Sequence, residues 1–168
     1  MFRYTIAFIR RGNDVLMLNR NAAPNMGLWN GVGGKLEQGE TPLVNIVREI
    51  EEETGLSIEA SQLRFAGIVT WTSEEGSGGM YAFVAELPLD ADVFEGPVGT
   101  REGILDWKSP EWLCHPRNYG VVSNAPHFLP YMLEHQTPAE HHFTYSNDQL
   151  TAYERRELVQ PSHHNLHF

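Results

Sequence analysis

The stretch GGKLEQGETPLVNIVREIEEETGL, residues 33–56, restricts this chain more than any other. It carries Glu37, Glu40, Glu49, Glu51, Glu52 and Glu53, with Glu59 just beyond, and only Lys35 and Arg48 oppose them as cations. Yet the segment has the marks of a helix over Thr41–Thr54. Thr41 offers a capping hydroxyl, Pro42 suits the first helical position and Gly55 suits the stop. At about 3.6 residues per turn, Leu43, Val47, Ile50 and Thr54 share one face, the one expected to be buried. Glu49, Glu52 and Glu53 then fall on the other side, related by i,i+3 and i,i+4, and are expected to converge in front of the helix.

Converging carboxylates stay ionised together only beside a counter-charge. Clustered hard oxygens are what Mg²⁺ or Mn²⁺ requires, whereas a solvated acidic face is the plainer alternative. Two features favour the metal. Lys partners at i,i+4 are nearly absent, and a glycine cluster just upstream lets backbone approach a ligand closely.

The rest of the chain sets the frame. Its 168 residues, 41% hydrophobic and 20% charged, suit one soluble domain with a real core. A net charge of −10 argues against a nucleic-acid polymer as partner but not against a small phosphorylated ligand bridged by Mg²⁺. No apolar run is long enough to span a bilayer, and MFRYTIAFIRRGND reads as a strand and not as a signal peptide. The single cysteine, Cys114, excludes an internal disulfide framework and fits a reducing cytoplasm. No partner membrane is expected, and a monomer or a homodimer fits equally.

Along the chain, FRYTIAFIR and VLMLNR read as a hairpin around RGND, followed by the loop NAAPNMGLWNGVGG. After the acidic helix, LRFAGIVTWTS and GMYAFVAELP read as two longer strands joined by EEGSGG, a mobile hairpin tip. ILDWKS is a short strand, SPEWL a helical turn and NAPHFLPYMLEH a helix. EHHFTYS and LTAYERREL form a closing pair around NDQ. The pattern predicts an α/β (α+β) sandwich around one mixed sheet, a single domain over 1–158 with a flexible tail over 159–168. The histidines, including His115, His127, His135, His141 and His142, show no ligand spacing and are expected at the surface or in the tail.

Gly34, Glu40 and then Arg48-Glu49-Ile50-Glu51-Glu52-Glu53-Thr54-Gly55-Leu56 stand at the spacing GX5EX7REUXEEXGU, with U aliphatic. On these residues the chain resembles the Nudix hydrolases. The resemblance implies an α/β/α sandwich around a mixed sheet, and a loop–helix–loop in which Glu49, Glu52 and Glu53 bind divalent cations with the carbonyl of Gly33. It implies that Arg48 orients a carboxylate through a bidentate pair and that Glu40 braces the loop. Water attacks phosphorus, with Glu52 expected as the general base and Glu53 or a carboxylate outside the box as rivals. The identity of that base varies within the family.

Beyond the box, LWNGVGGKLEQGET, YTIAF and HHFTYSNDQLTAYERREL are similar to the MutT-type branch, specifically to hydrolases of oxidised purine nucleoside triphosphates. By position, this likeness places Thr5, Asn30 and Asn124 at the base, Arg20 and Lys35 on the nucleotide, and Glu102 as an extra metal ligand in competition with Glu95. Each has a plainer reading: Thr5 as a strand residue, Asn30 as a loop former, Arg20 as an exposed strand end. The chain departs from that group at VVSNAPHF, where Asn124 replaces the first of two aspartates and the Trp and second aspartate are missing. Trp29, Trp71 and Tyr81 are the stacking candidates. The alternatives are a pyrophosphatase for ADP-ribose or another nucleotide sugar, whose further sequence marks are absent, and a non-catalytic nucleotide-binding module, which usually lacks a catalytic glutamate.

Overall fold

Strand β1 (Tyr4–Arg11) shows how the sequence places its layers. Successive side chains of a strand point to opposite faces. Ile6 and Phe8 therefore join one apolar cluster and Ala7 and Ile9 another. In the computed structural model, which describes residues 1–158, β1 lies near the middle of a nine-stranded sheet. The other strands are β2 (Asp14–Arg20), β3 (Trp29–Asn30), β4 (Leu63–Ser73), β5 (Gly76–Leu87), β6 (Val98–Gly99), β7 (Gly103–Lys108), β8 (Ala139–Ser146) and β9 (Gln149–Glu157). Their order is β6-β7-β2-β1-β5-β4-β8-β9, with β3 against β2. The β1/β5 and β4/β8 pairs are parallel and the other pairs antiparallel, so the sheet is mixed as expected.

Helix α1 (Pro42–Thr54) covers one face, its Ile46 and Ile50 packing with Ala7, Ile9, Leu16 and Leu18. Helices α2 (Pro110–Leu113) and α3 (Ala125–Glu134) cover the other, with Phe128, Leu129 and Met132 against Phe8, Val15 and Met17. Two arginines from the sheet hold the C-terminal end of α3. Arg64 donates to the Met132 carbonyl at 2.7 Å and Arg10 to that of Leu133 at 3.2 Å, satisfying groups the helix itself leaves open. Among the described residues no helix is long and apolar enough to cross a membrane. The tail expected over 159–168 lies outside the described residues.

Four expectations need correction. The segment EEGSGG, expected as a mobile hairpin tip, is mostly strand: β4 and β5 pair through to Ser73 and Gly76 and leave only Glu74 and Glu75 in the turn. Its glycines make room for rings: a Cβ on Gly78 would meet Trp71 at 2.5 Å and one on Gly79 would meet Phe2 at 2.4 Å. The loop NAAPNMGLWNGVGG contributes the two-residue strand β3, and a second short strand, β6, lies where none was expected. The buried stripe of α1 is also rotated. Of the four residues assigned to it only Ile50 is buried, and Asn45, Ile46 and Glu53 complete the inner face. Finally, His141 is not at the surface. It points with Phe143 toward α3, is fully buried, and its Nδ1 lies 2.9 Å from the Tyr153 hydroxyl. Burial, with a smaller contribution from Arg155, pushes its pKa down to about 4.

Candidate active site

The acidic helix is capped at both ends by the residues its sequence suggested. Thr41 Oγ1 accepts from the Val44 amide at 3.3 Å, and Gly55, at φ 72°, donates its amide to the Glu51 carbonyl at 2.9 Å. This fixes the direction in which its carboxylates leave the backbone. The loop before it is tied to β1, where Val32 and Gly34 carbonyls accept from Ala7 and Thr5 amides. Gly33, between them, instead donates its amide to Glu53 Oε2 at 2.8 Å. Gly33 is required, and Gly34 leaves room for the side chain of Glu49. A Cβ on Gly33, at φ 151°, would lie 2.2 Å from the Thr5 carbonyl oxygen, and one on Gly34 would lie 2.4 Å from the Glu49 carboxylate.

Arg48 organises the carboxylates. Its Nε and Nη2 grip both oxygens of Glu40 at 2.7 and 3.0 Å, while Nη1 reaches Glu49 Oε1 and Glu52 Oε2, each at 3.0 Å. Glu40 also accepts from the Glu37 amide and from Asn45 Nδ2. These contacts, Arg48 first, hold its carboxyl at about 2, well below the usual range. Neither Arg48 nor Glu40 lines the cavity, so both act from behind it.

The carboxylates facing the cavity behave oppositely. Glu53 is only 8% exposed, and burial raises its pKa to about 7, with Glu49 and Glu102 adding like charge against the Gly33 amide and Arg20. Burial also raises Glu49, offset by Arg48. Arg48 and Arg20 offset this burial only in part, and a hard divalent cation would relieve the remainder. As they stand they do not meet at one point: Glu49 and Glu52 lean on Arg48, and Glu53 turns to Gly33. Among the described residues no three such side chains are already set around a single ion. Glu52, whose side chain is 59% exposed, has the freedom to swing.

Glu49, Glu52, Glu53 and Glu102 share one cavity of about 1480 Å³ with Arg20, Asn30, Gly33, Lys35 and Asn124. Glu95 does not: it forms a two-pronged pair with Arg11, 2.8 and 2.9 Å away. Thr5 belongs to the wall, but its hydroxyl is donated to Asn45 Oδ1 at 2.5 Å on the α1 face. Ile6, next in the strand, faces the opposite side. Asn30 Oδ1 accepts from the Gly31 amide, and its amide nitrogen has no partner among the described residues. Of the stacking candidates only Trp71 lines the cavity; Trp29 packs under Lys108 and against Trp112, and Tyr81 against Phe2. Sequence reasoning missed Met80, Ser123 and Tyr145 in this wall. An aromatic at the last inward position of a strand, two residues beyond a buried Phe143, was the available signal for Tyr145.

Residues 1–119 match the NUDIX domain model. The uncharacterized Nudix hydrolase YvcI of Bacillus subtilis (strain 168) is 30% identical over 149 residues, which cover 86% of this chain and 87% of that protein. Over a shorter span of 56 residues, 33% of this chain and 36% of the relative, it is 38% identical to an oxidized purine nucleoside triphosphate hydrolase of Mus musculus. A mutator MutT protein from Bacillus halodurans has the same fold, with a TM-score of 0.73 at 24% identity, covering 92% of this chain and 97% of that one. On the domain match, the shared length with YvcI and the spacing of its glycines, arginine and glutamates, the chain belongs to the Nudix hydrolase family.

Proposed function

We infer that the protein hydrolyses a nucleoside triphosphate, a purine nucleotide with or without an oxidised base, to the monophosphate and pyrophosphate. The observation that carries this reading is one cavity with two kinds of lining. Glu49, Glu52, Glu53 and Glu102 line it with Arg20 and Lys35, and so do the apolar side chains of Ile6, Trp71 and Met80, with Asn30, Asn124 and the carboxylate of Asp148. The glutamates and cations suit a polyphosphate bridged by metal ions, and the apolar side chains a flat, uncharged ring.

Glu49, Glu52, Glu53 and Glu102, with the Gly33 carbonyl, would hold Mg²⁺ or Mn²⁺. Bound there, the cation neutralises phosphate charge and acidifies a water. Arg48 keeps Glu49 and Glu52 in reach, Glu40 holds Arg48, and Arg20 and Lys35 meet the phosphates. Glu52, the most solvent-accessible of the three, takes the proton as the water oxygen bonds to phosphorus and the bond to the departing pyrophosphate breaks.

The test is Mg²⁺-dependent turnover of nucleoside triphosphates, canonical and oxidised, beside ADP-ribose. Glu53→Gln and Glu52→Gln should each lower kcat by about 100-fold or more while circular dichroism stays native. Unchanged turnover in both variants would remove the metal-site assignment, and a clear preference for ADP-ribose would replace the substrate class.

A further inference from the structure

Asn45 sits on the covered side of α1 and is fully buried. Asparagine is a poorer helix former than alanine, and an amide taken out of water costs free energy unless its groups are bonded. Here they are bonded to three other parts of the chain. Oδ1 accepts from Thr5 Oγ1 on β1 at 2.5 Å. Nδ2 donates to the Lys35 carbonyl in the glycine loop and to Glu40 Oε2 ahead of the helix, each at 2.9 Å. A carbonyl and a carboxylate only accept, so the amide has one workable orientation. Asn45 does not line the cavity, and these bonds serve no ligand directly.

What they fix is the seat of the helix against the loop. The loop is laid along β1 by backbone bonds, from the Thr5 amide to the Gly34 carbonyl at 2.9 Å and from the Leu36 amide to the Arg3 carbonyl at 2.8 Å. The groups that would hold a cation are split between the two pieces: the Gly33 carbonyl on the loop, and Glu49, Glu52 and Glu53 on α1. Glu53 joins the pieces by accepting the Gly33 amide, and Arg48 by reaching the Lys35 carbonyl at 3.5 Å. The first of these ties is made by a group that a cation recruits, and the second is long. Asn45 joins loop, strand and Glu40 through shorter bonds that a cation does not draw on.

We propose that Asn45 is a positioning residue for the divalent-cation site. It sets the glycine loop and α1 at the separation that lets the Gly33 carbonyl and the glutamates reach one ion. It acts through Lys35 and Glu40 and touches neither cation nor nucleotide. This rests on the reading of the cavity's carboxylates as a cation site.

The experiment measures Mn²⁺ binding to the nucleotide-free full chain by water-proton relaxation, a readout separate from turnover. Asn45→Ala should raise the Kd for Mn²⁺ by about tenfold or more, as loss of an outer partner of a metal site does. Ile46→Ala is the control for a purely structural role. Ile46 is the next buried residue of the same helix, its side chain is hydrocarbon, and truncating it lowers stability through a cavity. Its Kd for Mn²⁺ should stay that of the wild type. If the alanine variant at Asn45 does not fold, Asn45→Ser, which keeps a hydroxyl there, takes its place with a rise expected in the same direction. An Asn45 variant that binds Mn²⁺ as the wild type does overturns the proposal. So does an equal rise in Ile46→Ala, which makes the effect one of helix stability. A wild type that binds no Mn²⁺ overturns it together with the hydrolase reading. Turnover of nucleoside triphosphates is read on the same preparations. A wild type that binds Mn²⁺ without hydrolysing them loses the hydrolase reading, while the Kd comparison still judges Asn45.

Discussion

The two faces of the sheet bury polar groups in opposite ways. On the α1 face, Thr5, Asn45 and Glu53 are buried and each has a hydrogen-bond partner: Thr5 with Asn45, Asn45 with Lys35 and Glu40, Glu53 with Gly33. On the α3 face the buried polar side chain is His141, with one ring nitrogen bonded to Tyr153 and Nε2 without a partner among the described residues. The first face carries a hydrogen-bonded network that runs from β1 through α1 to the glycine loop. The second is an aromatic core of Phe128, Tyr131, Phe143 and Tyr153 into which one titratable ring has been packed neutral. Bonded polar side chains and aromatic packing thus occupy different sides of one sheet, with the cavity touching both.

The largest expected consequence lies on the α3 face. His141 has its pKa pushed from the ordinary 6.5 to about 4 in the fold. Above pH 6.5 neither folded nor unfolded chain protonates it, and its neutral packing is fully available. Between the two values the unfolded chain takes up a proton that the folded chain refuses, so stability falls with pH. The loss is complete below the folded value and comes to about 3 kcal/mol, because one pKa unit is worth about 1.4 kcal/mol. The groups facing the ring are Phe128 and Tyr131 on α3 and Tyr153 and Arg155 on β9, and none of them is an anion. His141→Gln keeps a neutral polar group and does not titrate. Urea denaturation of both proteins from pH 7 to 4 should show the wild type losing about 3 kcal/mol more than the variant. Comparing the two also subtracts the carboxylates of the other face. Parallel curves would mean that His141 is already free to charge.

The sequence made the α1 face readable because its parts lie close along the chain. Glu40, Arg48, Glu49, Glu52 and Glu53 fall within one turn-and-helix segment, where spacing alone sets geometry. The caps at Thr41 and Gly55 were legible for the same reason. What spacing could not give was the inner stripe, since Asn45 and Glu53 are polar residues buried by partners elsewhere, on β1 and at Gly33. The cavity also draws on Ile6, Met80, Trp71 and Tyr145, brought together by strand order β1-β5-β4-β8, and on Ser123 from the turn before α3. No local pattern announces such a set. The burial of His141 was hidden in the same way: alternation told that His141 and His142 face apart, but not which side α3 covers.

A smaller effect tests whether the α1 network needs a fork or merely a cation. Arg48 reaches Glu40 through two nitrogens and Glu49 and Glu52 through a third. A lysine ammonium is a single point of charge and cannot make the planar two-atom grip. Arg48→Lys should leave the helix folded and the net charge unchanged, yet lower kcat by about tenfold or somewhat more, as loss of an outer partner of a metal site does. Mg²⁺ titration of turnover should shift to higher concentration in the variant. A lysine enzyme with wild-type kcat and Mg²⁺ dependence would show that charge alone suffices, and the bidentate pair with Glu40 would be structural.

Thr5 offers the finest cut between the two faces. Position along the chain likens it to a residue at the base, but its parity in β1 puts the hydroxyl on the α1 face against Asn45, and Ile6 and Tyr4 on the other. Thr5→Val keeps the shape and the β-branched preference for a strand while deleting the donor. Asn45 Oδ1 would then be left buried without its partner, at a cost of about 1–2 kcal/mol, readable as a lowered denaturation midpoint with an unchanged denaturant slope. KM for nucleoside triphosphates should stay that of the wild type, since the deleted hydroxyl is donated to Asn45. If KM rises while stability holds, the hydroxyl reaches the substrate after all, and the division between the faces breaks at β1.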